Sequence, residues 1–256
     1  MFDTHTHINS DEFKLNREDI LSRMSDENIG GIIVGTNIQD SILAKDIVQR
    51  YNNLKFSAGI HPHYADGIDI ASKLKDLEKL VLEEDNVAIG ECGFDFYYND
   101  RNSLYEKQER LFRMQIDLAK RHNKSLIIHT RESFQDTYDI LKEYENLKIV
   151  YHCFSGNEDW FNKLNSLSHD SYFSFSGIIT FKNNVIDIQK SVQAIPVDKI
   201  LVETDSPYLA PVPFRGKQNN TLYIKYIVEK IADLRDMPYN EMEMILDRNA
   251  YRAFNI

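Results

Sequence analysis

The chain has 256 residues, of which 42% are hydrophobic and 27% are charged, and its formal net charge at pH 7 is −10. This length and composition are typical of one α/β barrel with a large core. The negative charge argues against a protein that coats nucleic acid non-specifically, because such binding depends on clustered lysine and arginine. It does not exclude an enzyme whose bound metal ions supply local positive charge.

Eight short segments rich in β-branched and apolar residues alternate with amphipathic helical stretches. This alternation predicts parallel strands with right-handed crossovers, and eight such strands close a single (β/α)8 TIM barrel that spans residues 1–256. An open doubly wound sheet is the alternative fold, but no glycine-rich dinucleotide-binding motif follows the first strand. The predicted strands are residues 2–7, 30–35, 54–60, 86–92, 125–130, 147–153, 171–176 and 198–204, followed by helices at 223–234 and 241–254.

Candidate metal ligands end five of these strands, and active sites of (β/α)8 barrels lie at that end of the strands. Six ligands are too many for one open site, so the sequence predicts a pair of divalent ions. Mixed nitrogen and oxygen ligands fit Mg²⁺, Mn²⁺ or Zn²⁺ alike. The candidates are His5 and His7 on the first strand, Glu91 on the fourth, His129 on the fifth, His152 on the sixth and Asp205 on the eighth.

The alternation of side chains along a strand places two more carboxylates near this site. Asp3 is expected to share a face with His5 and His7, and Glu203 to share one with Asp205. We expect Asp3 and Glu203 to lie one layer below the ligands, where carboxylates can orient ligating imidazoles.

Two of the ligands are also the predicted catalytic residues. Glu91 is the carboxylate expected to be shared between the two ions, and Asp205 is the expected proton acceptor for the attacking water. On the fourth strand, alternation further predicts that Val87 and Ile89 share a face with Glu91.

The two cysteines, Cys92 and Cys153, are too few for a disulfide framework and are typical of a reducing cytosol. Each directly follows a predicted ligand, so its side chain should point away from the metals, and we expect two buried thiols. No apolar run approaches the roughly 20 residues that cross a bilayer, and the chain opens with a predicted strand rather than a signal peptide. These features predict a cytoplasmic protein that does not associate with membranes.

Seven blocks of sequence run through these strand ends and the loops that follow them. They are Phe2-Asp3-Thr4-His5-Thr6-His7, Gly59-Ile60-His61-Pro62-His63, Ile89-Gly90-Glu91-Cys92-Gly93-Phe94-Asp95, His129-Thr130-Arg131-Glu132, His152-Cys153-Phe154-Ser155-Gly156, Glu203-Thr204-Asp205-Ser206-Pro207-Tyr208-Leu209 and Arg215-Gly216-Lys217. In this order the blocks resemble the TatD family of metal-dependent deoxyribonucleases, within the amidohydrolase-like barrels.

The resemblance implies a nuclease that acts on DNA, typically trimming single strands from the 3′ end, although some relatives cut internally. One departure is Asn219-Asn220-Thr221, where the family usually has a proline, and it leaves the path of the last barrel loop open. No obligate protein partner is evident. The resemblance further implies that His5, His7, Glu91 and Asp205 hold one ion and that Glu91, His129 and His152 hold the other.

Five further residues are predicted to bind substrate. In the family, the block with His61 and His63 lines the active site. Either histidine is a candidate contact for a substrate phosphate or a metal-bound water, or alternatively a loop-stabilising residue. Arg131 directly follows a predicted ligand, and Arg215 and Lys217 lie in the loop after the eighth strand. Loops after the seventh and eighth strands often build phosphate sites in this fold, so all three are candidate phosphate contacts. The alternative for each is a solvated surface side chain.

The aromatic run at residues 94–98 has two open interpretations. It stacks exposed bases, which would favour single-stranded substrates, or it packs between loops.

Two other functional classes compete with the nuclease. Barrel hydrolases of lactone, amide or small phosphoester bonds commonly bridge their metals with a carboxylated lysine on the fourth strand, where this chain has Glu91. A non-catalytic metal-binding scaffold would bind metal without turnover. The complete ligand set, including Asp205, argues against such a scaffold.

Overall fold

The computed structural model describes residues 1–67, 69–97, 101–183 and 185–256. Within these ranges the strands form one parallel sheet in which each strand pairs with the next along the chain, in the order β1 to β8. The strands are β1 (Phe2–Thr6), β2 (Gly30–Val34), β3 (Leu54–Ala58), β4 (Asn86–Asp95), β5 (Ser125–Arg131), β6 (Lys148–Tyr151), β7 (Asp170–Phe175) and β8 (Ile200–Val202).

The chain just past β8 returns to β1 and closes the sheet into a barrel. Thr6 and Ser206 form a parallel bridge, and their hydroxyl oxygens are 2.8 Å apart. The backbone N–H of Asp205 donates to the carbonyl of His5 at 2.9 Å, and that of His7 donates to Ser206 at 2.8 Å. The predicted (β/α)8 barrel is therefore confirmed.

Helices lie between the strands and cover the outside of the barrel, which is the arrangement that parallel strands require. None of the described helices is long and apolar enough to cross a bilayer. Both helices predicted after the last strand are present as α8 and α9. The helices are α1 (Arg17–Asp26), α2 (Ile38–Val48), α3 (Ile70–Val81), α4 (Arg101–His122), α5 (Phe134–Leu141), α6 (Glu158–Asn165), α7 (Ile186–Ala194), α8 (Ile224–Leu234) and α9 (Tyr239–Phe254).

Helix α9 closes the end of the barrel opposite the predicted site. Its side chains of Ala250, Ala253 and Phe254 pack in one cluster with inward-facing residues of the strands. Ser125, the first residue of β5, donates its hydroxyl to the carbonyl of Ala253 at 2.6 Å, so α9 lies against the amino ends of the strands. The strand residues in this inner layer are Phe2, Ile32, Val34, Val87, Ala88, Ile127, Val150, Tyr172 and Leu201.

Several strands differ from their predicted bounds; β3 and β6, for example, end two residues early, at Ala58 and Tyr151. Strand β8 ends at Val202 rather than at 204, and a 3-10 turn at Val197–Lys199 occupies its predicted start. Strand β4 continues to Asp95 rather than ending at 92. The predicted shared face of Val87 and Ile89 is wrong, because the register of β4 against β3 shifts there: Val87 packs inside the barrel and Ile89 packs in the outer layer.

Candidate metal centre

The first group of candidate ligands combines the two histidines of β1 with the carboxylates of Glu91 and Asp205. Nε2 of His5 and Nε2 of His7 are 3.1 Å apart. Oε2 of Glu91 lies 3.6 Å from each of these nitrogens, and Oδ1 of Asp205 lies 3.8 and 3.5 Å from them. Four ligand atoms at 2.0–2.2 Å around a tetrahedral ion are about 3.3–3.6 Å apart. The spacing therefore fits a single ion.

The second group uses the other oxygen of Glu91. Oε1 lies 2.7 Å from Nδ1 of His129 and 2.9 Å from Nε2 of His152, and these two nitrogens are 3.3 Å apart. Nε2 of His61 lies at the edge of this group, 3.8 Å from the same oxygen. Glu91 thus turns one carboxylate oxygen towards each group, which is the geometry of a bridging ligand.

The hydrogen bonds behind the rings indicate which nitrogen of each ring would bind a metal. In three of the four candidate imidazoles the ring nitrogen away from the centre is next to an oxygen that can only accept, so that nitrogen carries a hydrogen, and the nitrogen facing the centre is the one that can bind a metal once its own proton is displaced. The fourth, His5, has a buried Nδ1 without a partner among the described residues. The three contacts are His7 Nδ1 to the carbonyl of Val34 at 3.2 Å, His152 Nδ1 to Glu203 Oε1 at 3.1 Å and His129 Nε2 to Asp95 Oδ2 at 3.0 Å.

Burial and neighbouring charge act in opposite directions on these groups. Burial alone raises the pKa of a carboxyl group, but at Glu91 the imidazoles of His152, His61 and His129 outweigh it and hold that pKa well below its usual range. Burial alone lowers the pKa of His152, but the charges of Glu91 and Glu203 raise it well above its usual value. Because metal ligands must be deprotonated, a cation at this centre competes with protons.

The two predicted supporting carboxylates have different contacts. Oε1 of Glu203 is next to the ring of His152, as expected, and also accepts the backbone N–H of Cys153 at 2.7 Å. Asp3 instead accepts the backbone N–H groups of His5 at 3.2 Å and Thr204 at 2.9 Å, and the Thr204 hydroxyl at 2.6 Å. Asp3 therefore holds backbone together where β1 meets the chain past β8, rather than orienting an imidazole.

The expectation of two buried thiols holds only for Cys92. Its Sγ is fully buried in the outer layer, 3.6 Å from the carbonyl of Ile127. Cys153 is partly exposed, and its Sγ lies 3.2 Å from the hydroxyl oxygen of Ser176. Although the residue is partly exposed, desolvation of its thiol by the surrounding protein, with the charge of Asp205 nearby, raises the pKa of Cys153 to about 12, so it is not a thiolate at neutral pH.

Glycine at position 93 is required by the close approach of β4 and β5. Its φ is +133°, and a Cβ there would lie 2.2 Å from the carbonyl oxygen of His129. Any larger residue would separate the strands that carry Glu91 and His129.

The predicted substrate residues fall into two sets. His61 and His63 are close to the second group: the backbone N–H of His63 donates to Nδ1 of His61 at 3.1 Å, and Nε2 of His63 is 3.1 Å from Asp95. The three basic residues instead lie over aromatic rings. The guanidinium of Arg131 is 3.8 Å from the centre of the Tyr97 ring, that of Arg215 is 3.6 Å from Phe181, and the ammonium of Lys217 is 5.7 Å from Phe214.

The aromatic run that follows Glu91 is mainly packing. Phe94 and Phe96 are buried and pack near Tyr105, with the Phe94 and Tyr105 rings stacked at 5.7 Å. Among the described residues of this run, Tyr97 is the one with a strongly exposed side chain, at 50%, and Arg131 lies over its ring. Tyr98 lies outside the described residues.

The structure adds two residues to which the sequence assigned no role. Asp95 is buried and lies beside both His129 and His63; burial alone would raise its pKa, but these two hydrogen bonds lower it well below its usual range. Its position on β4, an even number of residues after Glu91, was the available signal.

Asn219 is fully buried, and its Nδ2 donates to the carbonyls of Thr204 at 2.8 Å and Tyr208 at 2.6 Å. It therefore settles the path of the last barrel loop.

Comparisons with known proteins agree over the whole chain. The model of the family described as TatD related DNase matches residues 2–255. An uncharacterised metal-dependent hydrolase of Bacillus subtilis, YabD, is 36% identical over 260 residues, which cover 100% of this chain and 99% of that protein. A second one, YcfH of Escherichia coli, is 34% identical over 263 residues, covering 100% and 96%.

Solved structures share the fold. The crystal structure of YjjV, a TatD homologue from Escherichia coli, superposes with a TM-score of 0.90 at 24% identity, covering 100% of this chain and 98% of that one. A TatD family hydrolase from Entamoeba histolytica superposes with a TM-score of 0.86 at 20% identity, covering 99% and 97%.

Proposed function

The chain belongs to the family of TatD-related DNases and is a metal-dependent hydrolase, and from this premise we propose that it hydrolyses phosphodiester bonds of DNA, trimming single strands from the 3′ end. The observation that carries the proposal is the bridging geometry of Glu91, with His5 and His7 facing Oε2, and His129 and His152 facing Oε1. Phosphodiester cleavage is a reaction for which paired metal ions are suited.

In this proposal two divalent ions, Mg²⁺, Mn²⁺ or Zn²⁺, occupy the centre. When bound, they neutralise charge on the phosphoryl oxygens and lower the pKa of water. His5, His7, Glu91 and Asp205 would hold one ion, and Glu91, His129 and His152 the other.

The carboxylate of Asp205 accepts the proton of the attacking water. It is held in the ionised form: burial alone would raise its pKa, but the hydrogen bond from His7 and the charges of His152 and His5 lower it. Water adds to phosphorus, the bond from phosphorus to the 3′ oxygen breaks, and that oxygen takes a proton from solvent. The products are a shortened strand and a 5′ nucleotide.

His61 is suited to bind a phosphoryl oxygen. Burial lowers its pKa well below the usual value, so the ring is neutral at pH 7. Because Nδ1 accepts the backbone N–H of His63, Nε2 carries the hydrogen and is a donor at the edge of the second group. His63, Arg131, Arg215 and Lys217 complete the proposed substrate contacts around an otherwise acidic protein.

We also propose that residues 1–256 act as one domain, in the cytoplasm, without an obligate protein partner. The barrel is closed between residues 5 and 206, and α9 covers its lower end, so the first strand, the last barrel loop and the last helix all belong to one barrel. The free thiols suit a reducing compartment.

The test is to assay purified protein of known metal content on single-stranded oligonucleotides labelled at either end, with Glu91→Gln as the inactive control. We expect immediate release of nucleotides from a 3′ label and a ladder of shortening products from a 5′ label. Early fragments from a circular single strand would indicate that the protein is an endonuclease and not an exonuclease. Turnover of lactones, amides or small phosphoesters without DNA cleavage would contradict the proposal.

A further inference from the structure

The exposed tyrosines of this protein are concentrated around the candidate metal centre. Of the four with strongly exposed rings in the described ranges, three follow strands that end at this centre: Tyr64 after β3, Tyr97 after β4 and Tyr208 after β8, which are 44%, 50% and 54% exposed. The fourth, Tyr251, is 49% exposed and lies on α9 at the opposite end of the barrel. Clustered exposed aromatic rings indicate a binding surface more strongly than scattered ones do.

Tyr208 is fixed to the centre by its backbone. Its N–H donates to the carbonyl of Asp205 at 3.0 Å, and its carbonyl accepts the side chain of Asn219 at 2.6 Å. Asn219 is itself fully buried and also holds the carbonyl of Thr204. The segment that carries Tyr208 is therefore already ordered. Little conformational entropy is lost when a ligand binds to its exposed ring, and this favours binding.

The ring of Tyr208 lies close to the candidate metal centre. Its centre is 6.5 Å from that of His7, with the two planes at 63°, so Tyr208 borders the first group of ligands. At the same end of the barrel, the guanidinium of Arg131 lies over the ring of Tyr97, 3.8 Å from its centre. Proteins that bind single-stranded nucleic acid combine positive charge for the backbone with aromatic rings on which bases stack.

We propose that Tyr208 is a stacking platform for the nucleobase beside the scissile phosphate, and that it makes the enzyme select unpaired over paired strand ends. An unpaired terminal base can turn one face to the tyrosine ring, whereas a base within a duplex is already stacked and paired. The inference rests on the proposed function as a DNase, and assigns to Tyr208 the part of substrate choice that the metal ligands cannot supply.

The experiment compares Tyr208→Ala and Tyr208→Phe with Tyr251→Ala, a matched control at the far end of the barrel. Two single-stranded substrates of equal length are used, one ordinary and one whose last three nucleotides at the 3′ end lack bases. For Tyr208→Ala we expect KM for the ordinary strand to rise about 5- to 150-fold, the range that follows from the loss of one base–aromatic stack. KM for the abasic strand should not change.

The phenylalanine variant should stay close to wild type on both substrates, since it keeps the ring, and Tyr251→Ala should match wild type throughout. An equal loss on the ordinary and abasic strands would overturn the stacking role, as would a phenylalanine variant as impaired as the alanine variant. If the wild-type protein cleaves neither strand, the proposed function fails and the inference with it. DNA cleavage with no preference for bases in the wild type overturns the inference alone.

Discussion

Oδ2 of Asp95 lies 3.0 Å from Nε2 of His129, on the side of the imidazole opposite the nitrogen that faces Glu91. The carboxylate therefore holds the hydrogen of His129 on Nε2 and leaves Nδ1 as the metal-binding atom. The same oxygen is 3.1 Å from Nε2 of His63, whose side chain is 40% exposed, so Asp95 also links the second group to the rim of the site.

Asp95→Asn should weaken the second group without changing the first. The amide has lost the charge that favours the required form of His129, and loss of such a supporting contact typically costs about 10- to 100-fold in metal affinity or activity. We expect a lower content of one metal equivalent and a matching fall in kcat, measured with Asp139→Asn on α5 as the surface control. Full metal content with unchanged kcat would show that the contact with His129 is dispensable.

Glu91→Ala should abolish turnover and lower the metal content, because Glu91 is the residue that faces both groups. Glu91→Gln keeps the shape but brings too little negative charge, so it should fail as well. Metal stoichiometry and nuclease rate measured on the same preparation check this. Near-normal activity in either variant would contradict a shared carboxylate.

Asp205→Asn should reduce kcat by about 10²- to 10⁴-fold, the range for loss of a positioned base, with a smaller effect on substrate affinity. The reason is that its proposed role lies with the attacking water and the first ion. Steady-state kinetics on a single-stranded oligonucleotide separate the two parameters. A change confined to KM would reassign Asp205 to substrate binding.

Arg215→Ala should raise KM for DNA and flatten its dependence on salt, with metal content unchanged, because a polyanion bound to an acidic protein needs local positive charge. Arg215→Lys should restore only part of the loss if the guanidinium contacts phosphate through two hydrogen bonds. Arg248→Ala, an exposed arginine on α9, is the control. An unchanged KM and salt slope would leave Arg215 as a partner of Phe181 alone.

Removal of metal should destabilise the fold. A ligand present at 100 times its dissociation constant stabilises a protein by about 2.7 kcal/mol, which is a shift in Tm of roughly 5–10 °C for a domain of this size. A melting curve with chelator, followed by re-addition of the metal, checks this. The shift should be smaller in Glu91→Ala, which is expected to bind less metal, and a full shift in that variant would contradict the assignment.

The sequence was sufficient to predict the barrel because its repeat is periodic. Most of the strands are short apolar runs bounded by turn residues. The amphipathic helical stretches between them favour one arrangement of the chain, a closed barrel of parallel strands. The errors lie where periodicity breaks. The register shift at Val87 turns Ile89 outwards, and β8 stops at Val202 because the chain then bends, reaching a φ of +52° at Asp205.

The predicted ligands were recognisable because they lie at or near the ends of predicted strands, whereas the contacts of their supporting residues cannot be read from that pattern. Asp3 contacts backbone atoms of His5 and Thr204, and Asn219 contacts two carbonyl groups of the last loop. A contact between a side chain and a distant backbone atom depends on the folded path of the chain, which local spacing does not encode. Of the supporting residues that the sequence analysis missed, only Asp95, which follows Glu91 on one strand, could have been found by the alternation that placed Asp3 and Glu203 near the site.

The backbone contacts between β1 and the chain at residues 205–206 determine when, during synthesis, the first group of candidate ligands can form. These residues stand at opposite ends of the barrel sequence and are joined by the backbone contacts that close it. A growing polypeptide on the ribosome therefore lacks the first group of candidate ligands until residue 205 has been synthesised and has left the exit tunnel. A product that ends before residue 205 has neither Asp205 nor the backbone contacts that close the barrel, so this group is never assembled in it.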